Sequence, residues 1–150
     1  WTAGGALPVA KRNMGSCGTQ TAGLGFGGYS PGLFATTEEY NGESWAGGGA
    51  LLTARLGLAG VGTQTAALGA GGGSPTYPFS PVSTVEGYDG TTWSTRPSLA
   101  TSRAMFRGSG TNTAGVVFGG TTNDGSSFTA ATEEFTGATS VATASTLTTS

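Results

Sequence analysis

Two adjacent carboxylate pairs, Glu38-Glu39 and Glu133-Glu134, are the residues of this sequence best equipped for chemistry. Two acids about 5–10 Å apart can carry out glycoside hydrolysis. Neighbours on an extended strand point to opposite faces, however, so adjacency alone does not converge them on one bond. The sequence contains 0 histidines. That removes the usual general base, the commonest metal ligand and every Ser-His or Cys-His nucleophile. Cys17 is the sole cysteine, so no disulfide forms within the chain. Its counterparts in the repeat described below are Val61 and Ser109, and it reads as a small apolar strand residue. The string Gly23-Leu24-Gly25-Phe26-Gly27-Gly28 fits the dinucleotide fingerprint on paper. That fingerprint needs a following helix to hold a pyrophosphate, and none is predicted here. Asp124, in Asn123-Asp124-Gly125-Ser126, lacks the further carboxylates of a calcium loop and reads as a turn. The expectation is a non-enzyme with no cofactor and no metal.

Recurrence assigns the acids a different role. Glu38, Glu86 and Glu133 occupy one slot of an internal repeat, and Lys11, Arg55 and Arg103 occupy another. A charge that returns in every copy is more economically structural than catalytic, so an acid-to-cation contact within or between repeat units is expected. The repeat itself is about 47 residues long. Its copies open on Trp1, Trp45 and Trp93, share Leu7, Leu51 and Leu99, and carry a Gly-Thr-Gln/Asn-Thr-Ala turn starting at Gly18, Gly62 and Gly110. Glycine pairs follow at Gly27-Gly28, Gly71-Gly72 and Gly119-Gly120, and then the acid two before an aromatic: Tyr40, Tyr88 or Phe135. The boundaries fall at 1–44, 45–92 and 93–139, with a closing strand in 140–150.

A period of this length, with paired glycines and an aromatic hairpin, predicts an all-β fold of four-stranded antiparallel propeller blades, about three in this segment. Gly57–Val61 reads as a first strand and Ala66–Leu68 as a second that halts at the glycine pair. Their small residues suit inner strands crowded near a central channel. Thr37–Tyr40 is a third strand, and Asn41-Gly42 supplies the positive backbone angles of a two-residue hairpin turn, as Asp89-Gly90 does in the next copy. The fourth strand begins at the tryptophan, whose ring is expected to pack between blades, with Trp45→Ala costing roughly 3–5 kcal/mol.

These features resemble the Kelch repeat: a glycine pair, a tyrosine preceded by an acid, a short turn, a tryptophan and a downstream arginine. Tyr88-Asp89-Gly90-Thr91-Thr92-Trp93, followed by Leu99, Arg103 and Gly119-Gly120, matches that pattern element by element, and the resemblance covers essentially the whole chain. The Gly-, Ala- and Thr-rich character is most similar to the Kelch-type repeats of bacteriophages and marine metagenomes. It implies a structural or binding propeller on a virion, as a tail or fibre component, or on another extracellular particle. The eukaryotic relatives imply the alternative of an intracellular protein–protein adaptor, and a glycan-active enzyme is a more distant third. The copper site of Kelch-like galactose oxidase needs a histidine that this sequence lacks.

Composition agrees with an uncharged contact surface. Charged residues make up 9% of the chain and the net charge is -2, against about 25% charged in ordinary soluble domains. There is no basic stripe for nucleic acid and no apolar run long enough for a membrane span. Three blades do not close a ring of about four to eight. Other blades of a longer chain, or copies of this one, are therefore expected as partners, with Trp1 on the outer strand of a blade not seen here. Ser140 stands where a fourth tryptophan is due, and Ser140–Ala144 is expected as a last outer strand. Recognition is expected in the second-to-third connections, which vary most between copies and carry Tyr29, Phe34, Tyr77, Phe79 and Phe128. These aromatics suit stacking on a glycan or docking on a receptor or another particle protein; the alternative is that they fold back over the glycine-rich strand ends. Pro75, Pro78 and Pro81 stiffen the second of these connections.

Overall fold

A computed structural model describes residues 1–74, 79–122 and 127–137. Their architecture is all-β. The first sheet is antiparallel and is built from β1 (Gly15–Thr19), β2 (Ala22–Phe26), β3 (Thr37–Tyr40) and β4 (Trp45–Gly48), in the order β1-β2-β3-β4. The second begins with β5 (Ala59–Thr63) and β6 (Ala66–Ala70). A small hairpin of β7 (Gly73–Ser74) and β8 (Ser80–Pro81) intervenes before β9 (Val85–Tyr88) and β10 (Trp93–Arg96) complete it, in the order β5-β6-β9-β10. The third sheet contains β11 (Arg107–Gly110) and β12 (Ala114–Phe118), then the hairpin β13 (Thr121–Thr122) and β14 (Ser127–Phe128), then β15 (Thr132–Thr136), which pairs with β12. Its expected fourth strand, Ser140–Ala144, lies outside the described residues.

Each four-stranded sheet straddles two copies of the repeat, because the tryptophan that opens a copy opens the last strand of the preceding sheet: Trp45 lies opposite Tyr40 and Trp93 opposite Tyr88. The expected strand at Gly57–Val61 begins two residues later. Gly57 adopts a left-handed φ of 69° and donates its N–H to the Asn13 carbonyl at 2.7 Å, so it links sheets before the strand starts. The hairpin at Asn41 also departs from expectation. Only Gly42 takes a positive φ, of 99°, while the Asn41 side-chain oxygen accepts the N–H groups of Glu43 and Ser44 at 3.0 and 2.9 Å. Asp89 repeats the device on Thr91 and Thr92 at 2.9 and 2.7 Å. These bonds to the ionised form hold the Asp89 carboxyl below its usual range.

The sheets stack through their first strands, β1 against β5 and β5 against β11. The crowding expected there is present. A Cβ on Gly60 would collide with the Ser16 carbonyl, and one on Gly108 would lie 2.5 Å from Val61. Two apolar clusters fill the spaces between sheets. Leu24, Phe26, Leu51, Leu58, Tyr88 and Trp93 join the first two sheets, and Val61, Leu68, Val85, Phe106 and Val117 join the second and third.

Candidate functional site

The repeated charges converge just beyond the ends of the second strands, where each sheet ties down its own connections. Lys11 Nζ donates to Glu38 Oε1 at 2.7 Å, Arg55 Nη2 to Glu86 Oε1 at 2.8 Å, and Arg103 Nη2 to Glu133 Oε1 at 2.6 Å. Every pair lies within one sheet and its leading segment. Arg55 and Arg103 also hold backbone: Arg55 Nη1 donates to the carbonyls of Gly71 and Thr84, and Arg103 Nη1 to those of Gly119 and Ala131. Lys11, with fewer donors, reaches the Thr36 hydroxyl at 2.7 Å instead. Burial pulls the Arg55 pKa down, and the Glu86 charge works against that shift. Removing either partner of such a pair leaves an uncompensated buried charge.

The second carboxylate oxygen shows how strictly the repeat is followed. Glu86 Oε2 accepts the Leu52 N–H at 2.7 Å and Glu133 Oε2 accepts the Ala100 N–H at 2.6 Å. The counterpart of Leu52 and Ala100 in the first copy is Pro8, which has no N–H. Glu38 Oε2 is correspondingly buried with no partner among the described residues. These carboxylates are occupied by the fold. Glu39 faces the other way and accepts the Tyr88 hydroxyl at 2.6 Å. Glu38 and Glu39 therefore do not converge on a common point, and the paired-acid pattern is divided between two structural contacts.

The first two glycine pairs are equally committed. In the first pair φ is 66° and 103°, and the N–H groups go to the Thr36 and Arg55 carbonyls at 3.0 and 2.8 Å. Gly71 and Gly72 repeat this on Thr84 and Arg103. The fingerprint-like glycine string thus ends in a joint between sheets, and no helix follows it. Cys17 Sγ lies 3.6 Å from the Thr63 carbonyl, and burial pushes its thiol up to about 11, away from thiolate chemistry. Among the described residues no cluster of His, Cys, Asp and Glu could hold a metal, and no helix is long and apolar enough to cross a membrane.

The tryptophans are placed unequally. Trp93 is buried, tilts against Phe26 of the first sheet at 4.9 Å, and donates its indole N–H to Thr37 Oγ1 at 2.9 Å, so it bridges two sheets. Trp45 is half-buried on Tyr40 and donates to the Gly5 carbonyl. The full cost foreseen for Trp45→Ala belongs to Trp93 instead. Trp1 is wholly exposed and in no strand, and Phe135 packs at the edge of the second cluster.

The second-to-third connections gather at one end of the sheets, where each pairs with the segment leading into a first strand: Arg12 with Tyr29, Leu56 with Gly73, and Ala104 with Thr121. Tyr29 lies under the Arg12 guanidinium at 5.4 Å and Phe34 under the Lys11 ammonium at 4.8 Å, so both are partly sheltered. Phe79 is half-buried close to Gly73. Phe128, on β14, is 82% exposed. Tyr77, Pro75, Pro78 and Asp124 lie outside the described residues, whereas Pro81 ends β8. No protein-family model matches the chain, and no curated protein matches it significantly.

Proposed function

We propose that this chain forms part of a non-enzymatic β-propeller of Kelch type, a structural and binding component of a virion or other extracellular particle, with its contact surface at the loop end that carries Phe128. The carrying observation is the contrast between fixed and variable residues. Acids and cations that recur in every copy are consumed by bonds inside the sheets, while the connections that differ between copies share one end and present Phe128 to solvent. An exposed aromatic on a rigid, little-charged scaffold can stack on a sugar ring at low entropic cost. The test is binding of the chain to an array of immobilised glycans, repeated with Phe128→Ser. The expected result is recognition of a subset of glycans that falls at least tenfold in the variant, with an unchanged far-UV spectrum. Absence of glycan binding, or binding indifferent to Phe128→Ser, contradicts the glycan-stacking role.

A further inference from the structure

Arg12 stands apart from the other cations. Lys11, Arg55 and Arg103 are paired with acids inside the sheets, while Arg96 donates to the Ser94 hydroxyl and Arg107 to the Phe106 carbonyl. The exposed Arg12 guanidinium lies over the Tyr29 ring at 5.4 Å and makes no side-chain hydrogen bond or ion pair among the described residues. A ring contact holds a guanidinium without an acceptor atom, so its N–H donors stay available to a ligand. The repeat itself does not call for a cation at this slot: the counterparts of Arg12 are Leu56 and Ala104, both buried.

The backbone around this free charge is fixed. Arg12 N–H donates to the Tyr29 carbonyl at 3.1 Å and Tyr29 N–H to the Arg12 carbonyl at 3.0 Å, and Ser30 N–H closes a tight turn on the Gly32 carbonyl at 3.0 Å. These two short segments bound an open cleft of about 440 Å³, lined by Ala10, Lys11, Arg12, Tyr29, Ser30 and Pro31. That is room for a sugar residue. The Lys11 charge is already spent on Glu38 at 2.7 Å. The Tyr29 and Ser30 hydroxyls have no protein partner among the described residues, so two neutral hydrogen-bonding groups line the cleft beside one unspent cation.

All of these residues belong to the first sheet's leading segment and its own second-to-third connection. Across the first junction, that connection bonds the next leading segment through Leu51 N–H on Ala35 at 2.8 Å and Arg55 N–H on Phe34 at 3.3 Å. The second junction repeats this with Leu99 on Ser83 and Arg103 on Val82. These backbone bonds stop short of the Leu56–Gly73 and Ala104–Thr121 bridges, the counterparts of Arg12–Tyr29. In the second sheet it is that sheet's own Phe79 that crowds the bridge, 3.1 Å from a Cβ built on Gly73.

We propose that the Arg12–Tyr29–Ser30 cleft binds the carboxylate of an acidic sugar, a uronate or a sialate, with Arg12 as its bidentate donor and the two hydroxyls bonding sugar hydroxyls. The planar fork of a guanidinium matches a carboxylate in two parallel hydrogen bonds, which a neutral sugar cannot offer. Such a site rests on the glycan-binding reading of this loop end and gives it a ligand class.

Heteronuclear NMR titration of the 150-residue chain with trigalacturonate and with sialyllactose, each beside its methyl ester, tests it. One of the two acids, and which one tells uronate from sialate, should shift the amide signals of Lys11, Arg12, Tyr29 and Ser30 together with the Arg12 side-chain N–H. Its ester should bind at least about tenfold more weakly, and Arg12→Gln should weaken the acid to the same degree, as loss of a hydrogen bond to a charged group does. Arg12 is exposed, so the variant should keep the parent's amide spectrum outside the cleft. No shift from either acid, binding indifferent to esterification or to Arg12→Gln, or equal shifts from a triglutamate peptide would overturn the proposal. The titration reads Arg12 whereas the glycan array reads Phe128, so the failure of one is distinguishable from the failure of the other.

Discussion

Tyr88 ties two sheets together through one proton. Burial, and then its hydrogen bond to Glu39, push the phenol up to about 12, above the value near 10 of an unfolded chain. The folded state therefore holds the proton more tightly. The stabilisation is complete below about pH 10 and is lost as pH rises through about 12. Urea midpoints of the parent should fall over that window, and Tyr88→Phe should flatten the decline. At Glu38 the orphaned oxygen gives a second expectation. Pro8→Ala restores the N–H that Leu52 and Ala100 supply in the other copies. A bond to a charged acceptor is worth about 1.5–3 kcal/mol and the lost proline rigidity about 0.4–1. Urea unfolding should therefore show a net gain of about 1–2 kcal/mol, and a loss would contradict the assigned role of that position. The acid and cation slots were legible because they recur; their carbonyl partners were not, since those depend on where a turn returns the chain. Gly42 announced its positive φ, but the side-chain capping by Asn41 and Asp89 shows only in three dimensions.

At the scale of the element, the tryptophans separate by junction. Trp93→Ala should cost roughly 3–5 kcal/mol in denaturant unfolding, as loss of a buried aromatic does. Trp45→Ala should cost roughly 1–2 kcal/mol, because its ring is only half-buried. Equal losses would contradict the junction assigned to Trp93. Sequence placed both residues at the start of a fourth strand, which holds in β4 and β10. It could not distinguish an internal junction from an outer one, since that depends on which sheets are neighbours. Strand β6 was legible from its stop at Gly71-Gly72, whereas β5 starts later than its composition suggests because Gly57 serves the sheet before it.

Across the described residues, the three larger sheets repeat one plan: small residues where first strands stack, an aromatic at the hairpin, and an acid–cation pair that anchors the connections. The all-β class and the blade-like sheets followed from the period and its turn residues. The central claim is that the recurring charges serve the fold. Urea unfolding of Glu86→Ala, followed by Trp fluorescence and far-UV circular dichroism together, tests it most directly, because the Arg55–Glu86 pair is the most completely buried. The account predicts a loss of about 3–5 kcal/mol, seen equally by both probes. A variant as stable as its parent would contradict it.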